Sequence, residues 1–235
     1  LSRYPSLKVP AYTQDDYIRG LSDSNPEVVY NSICHLGSSA AGFGNAMWGP
    51  DADPESEEFQ DAQHVYGSVC AQLQSKDPQL VAVSLRFLQL FAQGKDAGSE
   101  LMEPVCAVDS SHPLVQFEQV ALLNIIVDET TRLPEPLLKR LLNNRSWIVS
   151  RSTYELIGKM PDGPFRETLL PRYQDTADEA EKLMLLDAIG QKLATNEIAF
   201  IKNEMLTTEN LRIRSAAYGV LRCNLDYPEI QTWFI

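Results

Sequence analysis

A chain of 235 residues with 44% hydrophobic content can bury a continuous core without disulfides or metal. Its formal net charge of -12, from 32 acidic against 20 basic side chains, opposes approach to nucleic-acid phosphates or an anionic membrane. Its longest apolar runs, such as Val120 to Val127, are broken by Asn124 and flanked by Glu118 and Asp128, far short of a membrane span.

Taken in order, the chain alternates between two kinds of helical segment. The first helices of successive pairs are expected at Gln14 to Leu21, Glu57 to Leu73, Gly98 to Ala107, Pro134 to Leu142, Pro164 to Tyr173 and Glu197 to Leu206. Second helices open after short polar turns. Three begin with proline: Asn25-Pro26-Glu27-Val28-Val29, Asp77-Pro78-Gln79-Leu80-Val81 and His112-Pro113-Leu114-Val115. Three begin without it, at Ser146-Trp147-Ile148-Val149, Ala180-Glu181-Lys182-Leu183 and Asn210-Leu211-Arg212-Ile213. Proline suits the first helical turn because its φ is preset and its missing N–H would have had no partner there. Asn25 and Asp77, with Ser111 or His112 in the third copy, stand where a side-chain oxygen caps the orphan N–H groups. Behind each cap, apolar residues recur at spacings of three and four, as in Val81, Leu85 and Leu88, marking one buried stripe. Breaker-rich turns such as Lys159 to Pro164 keep the helices apart, and Ile230, Trp233 and Phe234 after Pro228 predict a further first helix that caps the last repeat.

Pro26 and Pro78 are 52 residues apart, Pro78 and Pro113 only 35, and the later starts follow at similar intervals. The long first interval calls for an insertion loop at about 42–56, rich in Gly, Pro, Asp and Ser. Two readings stand for its large apolar residues Phe43, Met47 and Trp48. They fold back to seal the first repeat, or they anchor a basic partner inside the acidic rim of Asp51, Asp53 and Glu55.

The period, the helix-turn-helix units and the (Asn/Asp)-Pro-x-(Leu/Val)-Val openings resemble HEAT repeats, a class of armadillo-like α-solenoid, over nearly the whole chain. The resemblance implies an all-α superhelix of about six two-helix repeats forming a single domain, 1–235. It also implies a ladder of turn Asp and second-helix Arg. Asp77 matches the former, and Arg151 and Arg214 sit at or within one residue of the latter, but Tyr30 and Ala82 occupy that slot in the first two repeats.

Chemistry-bearing patterns are sparse. His35, His64 and His112 have no helical-spacing partner for a metal, and Cys34-His35 is adjacent, which on a helix splays the two side chains. Gly42-Phe43-Gly44 lacks the remaining residues of a phosphate-cradling loop. Paired acids such as Asp15-Asp16, Glu57-Glu58 and Asp178-Glu179 fall at helix starts, where the dipole favours them. The expectation is therefore no cofactor, no metal and no catalytic set. Cys34, Cys70, Cys106 and Cys223 form no CxxC pair and read as buried structural thiols.

In a curved helical array the second helices commonly line the concave side, so their polar residues Arg86, Gln116, Arg151, Glu155 and Arg214 are candidates for a partner groove. Charge is graded along the array: residues 1–61 carry 3 basic and 10 acidic side chains, residues 132–172 carry 8 and 4. The leading expectation is a non-enzymatic protein-interaction or scaffolding module using that face and the 42–56 loop, with nucleic acid disfavoured. A second class comes from the resemblance alone: some HEAT-like enzymes excise alkylated bases from DNA, and others act in bilin attachment. For a base-excising enzyme, Trp147, Tyr154 and Arg151 with Glu155 are the nearest approach to an aromatic, basic and acidic set. The first residue is Leu1 rather than Met, which leaves localisation open between cytoplasm and export after removal of a leading segment.

Overall fold

The computed structural model describes residues 12–93, 97–128, 130–160 and 163–234, and every regular element among them is helical. The expected turn residues Pro161 and Asp162, and the first and last residues of the chain, lie outside this set. Contacts gather into two compact units, Leu1–Val108 and Asp109–Ile235, where the sequence is read as a single domain.

The first unit contains α1 (Gln14–Gly20), α2 (Pro26–Leu36), α3 (Ala40–Trp48), α4 (Glu57–Gln72), α5 (Pro78–Ala92) and α6 (Gly98–Cys106). Side-chain caps set the starts. The Asn25 side chain accepts from the Glu27 N–H at 3.0 Å, Asp77 from Gln79 at 2.9 Å and Ser56 from Phe59 at 3.1 Å. The second helices α2 and α5 pack on each other, and α1 packs on α2 and α4 on α5. Their buried stripes, Val29, Ile33 and Leu36 on α2 and Leu85, Leu88 and Phe91 on α5, form the core. Pro104 inside α6 cannot donate to the carbonyl of Glu100 one turn earlier, and the Tyr66 hydroxyl on α4 donates to that carbonyl instead, at 3.2 Å.

The expected insertion loop at 42–56 is corrected by this structure. A 3-10 turn (Gly37–Ser39) leads directly from α2 into α3, which runs to Trp48, and irregular backbone is confined to residues 49–56. The segment Ala40-Ala41-Gly42-Phe43-Gly44-Asn45-Ala46-Met47-Trp48 has enough Ala and enough apolar residues at helical spacing to outweigh its two glycines once α3 can pack against α4 and α5.

The second unit contains α7 (Pro113–Ile126), α8 (Glu135–Leu142), α9 (Trp147–Lys159), α10 (Pro164–Glu167), α11 (Leu169–Asp175), α12 (Glu179–Gly190), α13 (Thr195–Thr207), α14 (Leu211–Cys223) and α15 (Pro228–Phe234). The second helices α7, α9, α12 and α14 pack in series, with α8 on α9, α11 on α12 and α13 on α14. Asp178 and Asn210 cap α12 and α14 by accepting from Glu181 and from Arg212 and Ile213, at 3.0 to 3.3 Å. Two glycines let helices approach closely: a Cβ at Gly158 would lie 2.4 Å from the Ala188 carbonyl oxygen, and one at Gly190 would lie 2.9 Å from Val220. The expected first helix from Pro164 to Tyr173 is divided at Thr168. Pro171 cannot donate to the Glu167 carbonyl, so the hydrogen-bond chain is interrupted there, and the Thr168 hydroxyl turns back to the Phe165 carbonyl at 2.7 Å.

The inter-repeat ladder is built from other residues than the Asp–Arg pairs the resemblance implies. Asp77 is occupied as a cap, Arg151 meets Glu155 of its own helix at 4.0 Å, and Arg214 donates to the Thr208 carbonyl of its own repeat at 3.2 Å. Amide and carboxylate side chains bridge the repeats. Asn144 donates to Gln116, Asn124 to the Ser152 carbonyl at 2.9 Å, Asn210 to Glu179 at 2.9 Å and Asn224 to the Gly190 carbonyl at 3.0 Å. The deepest bridge is Arg166 with Glu197.

Candidate functional site

Phe43, Met47 and Trp48 are placed by α3 rather than by a loop. Phe43 is buried and Met47 half-buried, and Trp48 stands edge-on to Phe91 and Tyr66, with ring centroids 5.0 and 5.5 Å away. This packing is of the kind that seals the repeat, while the Trp48 ring keeps part of its surface in solvent. The thiols also divide. Cys70 and Cys106 are partly buried, and burial raises both, Cys70 to about 11 with the Tyr66 hydroxyl pulling the other way. Cys34 and Cys223, expected to be buried, are exposed, because the stripes of α2 and α14 are supplied by their neighbours Ile33 and Leu221. All four are free.

Among the second-helix candidates, Gln116 is corrected from displayed to buried. At 3% exposure its amide donates to the Ser110 carbonyl at 2.9 Å and accepts from Asn144. Arg86 is exposed on α5 in the first unit, and Arg214 is exposed on α14. Arg151 and Glu155 are brought together on α9, and Ile148, Arg151 and Glu155, spaced by three and four, share one helix face, with Trp147 one turn before Arg151. Trp147 is 62% and Ile148 41% exposed. On the neighbouring α12, Asp187 lies close enough to feel both charges. Partial burial raises its carboxyl, Arg151 opposes that rise and Glu155 adds to it. Asp187 escaped the sequence reading, although it stands nine residues after the Asp178 cap, as Glu155 does after Ser146, and aligning the repeats by their caps would have found it.

A second feature of the same unit is an open cleft of about 640 Å³ where the divided helix leaves room between α9, α11 and α12. Its apolar lining includes Leu142, Ile157, Phe165 and Leu169, and its polar groups centre on Glu181. That carboxylate accepts from the Tyr154 hydroxyl and the Arg172 Nε, each at 2.8 Å, and from the Thr176 hydroxyl at 2.6 Å. Burial works to raise Glu181, and these three hydrogen bonds together with the Arg172 charge outweigh it, so the carboxyl is held below its ordinary value. The Arg172 guanidinium also lies over the Tyr154 ring, 5.6 Å from its centroid. Burial pushes the Tyr154 phenol well up. Sequence reading found Tyr154 but not Arg172, Asp175 or Thr176. The available signal was Pro171 inside an expected helix.

Among the described residues no group of three or more His, Cys, Asp or Glu side chains is placed to hold a metal, and no helix is long and apolar enough to cross a membrane. No family model matches the sequence, and no curated protein matches it. Solved structures do. A designed armadillo repeat protein, YIII(Dq)4CqI, superposes with a TM-score of 0.59 over 89% of this chain and 99% of its own, at 12% identity. The fold is an armadillo-like α-solenoid. The complex of CpcE and CpcF of phycocyanin lyase from Nostoc sp. PCC7120 matches at a TM-score of 0.37 and 13% identity, over 98% of this chain and 95% of that one.

Proposed function

We propose that this armadillo-like chain is a protein-interaction module that docks a partner on the exposed face of α9 and its neighbour α12. The observation that carries the reading is the grouping of Trp147 and Ile148 with Arg151, Glu155 and Asp187. A large ring and a β-branched side chain stand in solvent beside a charged set whose members already feel each other. Trp and Arg are the residue types that most often dominate binding energy, and a rim of mixed charge fixes which partner fits. The stacked second helices supply a rigid backing, so little ordering is required when the partner arrives. A net charge of -12 weighs against nucleic acid, and Arg151 beside Glu155 and Asp187 gives the face both signs of charge for a protein partner.

The test compares proteins recovered from a native extract by the intact chain and by Trp147→Ala and Arg151→Glu variants whose helical circular dichroism is unchanged. A hot-spot tryptophan contributes at least about 2 kcal/mol, so the partner's affinity should fall roughly thirtyfold. Equal recovery by all three proteins would remove this face from consideration.

A further inference from the structure

We infer that the cleft between α9, α11 and α12 receives a basic side chain, lysine or arginine, from the partner protein. The inference rests on the interaction reading above and specifies the partner's chemistry. Glu181 and Arg172 are committed to each other at 2.8 Å, so their charges largely cancel inside the cleft. Asp175, which also lines it, makes no ion pair or side-chain hydrogen bond among the described residues and is exposed. The cleft therefore presents one uncompensated carboxylate above walls of Leu142, Ile157 and Phe165. That combination matches a long aliphatic stem ending in a cation, which can lay its methylenes on apolar surface while its head stays polar and half-solvated. A carboxylate or phosphate would meet two acids and only the spent Arg172. An uncharged apolar group would fill the walls and leave Asp175 without a contribution. The Arg172 guanidinium, held by Glu181 and lying over the Tyr154 ring, shows that the lining already accommodates one cation in this manner. Within the cleft Arg172, Glu181 and Asp175 sum to one negative charge, and that local excess gives one residue of a basic segment a seat.

The experiment uses the full chain, isotopically labelled, and the probes Nα-acetyl-lysine methylamide, its arginine and glutamate counterparts, and the norleucine analogue that keeps the stem without the charge. Amide shifts are followed at up to about 50 mM probe, a range suited to a single weakly held side chain. The lysine and arginine probes should move the amides of Thr168, Arg172, Asp175 and Thr176 saturably. Asp175→Asn, an exposed and conservative change, should weaken that binding fivefold or more, as should 0.5 M salt of the order that collapses exposed ion pairing. Unmoved cleft amides, equal shifts from norleucine or glutamate, or an Asp175→Asn protein that binds as before would each overturn the inference. The outcome separates from the fate of the docking face. A protein that keeps a Trp147-dependent partner but ignores the lysine probe loses only the cleft, and one that binds the probe but shows no Trp147-dependent partner loses only the face.

Discussion

Arg166 and Glu197, 31 residues apart, close a paired ion bridge at 2.7 and 2.9 Å with both side chains more than nine-tenths buried. Arg166 also donates to the carbonyls of Ile189 and Lys192 at the end of α12, and Glu197 accepts from the Ala194 N–H at 2.8 Å as α13 begins. The pair thus ties the divided first helix of one repeat to the turn that starts the next. Removing one partner strands a charge in a low-dielectric site. Glu197→Gln or Arg166→Met should lower unfolding free energy by about 3–5 kcal/mol. The double change to Met and Leu should recover a large part of that loss, since a well-packed apolar pair dispenses with the desolvation of both ions. Urea denaturation of the three variants checks this, and a double variant as unstable as either single one would contradict it.

The close approach of α9 to α12 makes a second expectation. A methyl at position 158 would press on the Ala188 carbonyl oxygen, 2.4 Å from the ideal Cβ, and backbone cannot swing aside as a flexible side chain can. Gly158→Ala should therefore destabilise by about 1–3 kcal/mol through overpacking, despite alanine's better helix propensity. Gly219, inside α14, has nothing within 4 Å of its Cβ position. Gly219→Ala should stabilise by roughly 0.5–1 kcal/mol. Thermal melts of the two single variants should move in opposite directions.

The periodic part of the fold was legible because it is local. Caps and stripes at Asn25, Asp77 and Asn210 act within one helix turn, so a linear reading locates the helix starts they cap. What packing at a distance decides was not legible. Nothing in the order Gly42-Phe43-Gly44 shows that α4 and α5 will offer Tyr66 and Phe91 to Trp48, so the sequence by itself predicts a loop where α3 forms. Likewise Gln116 looks like a surface residue until Asn144 of the following repeat is brought to it. The candidate site divided along the same line. Arg151 and Glu155 meet within one helix, whereas Asp187 and the Tyr154–Arg172–Glu181 group need two repeats in register. The packing of Trp48 yields a direct prediction. Trp48→Ala should destabilise the protein by about 1–3 kcal/mol, since the ring is only part-buried, with a reduced near-ultraviolet aromatic signal, and should leave recovery of a Trp147-dependent partner intact under conditions where the variant stays folded. Loss of the partner with unchanged stability would restore the anchor reading of α3.

Asp128 gives a prediction in pH. Just past α7, its carboxylate accepts at 2.8 Å from the Thr131 hydroxyl, the Thr130 hydroxyl and the Thr130 N–H, and these bonds, the Thr131 hydroxyl foremost, lower its pKa to about 2. In the unfolded chain the same group titrates near about 3.9. The folded pKa is the lower one, so the stabilising contribution is fully present above the unfolded value and is lost as pH falls from about 4 toward 2. Above pH 5 the turn should be indifferent to pH. Carbon-detected titration of the Asp128 carboxyl should place its midpoint near 2 in the intact protein, and Thr131→Val should move it upward toward the ordinary aspartate range, since the valine keeps the shape and removes the strongest donor. A midpoint near 4 in the intact protein would show that the hydroxyls point elsewhere in solution and that the turn after α7 is held by its backbone alone.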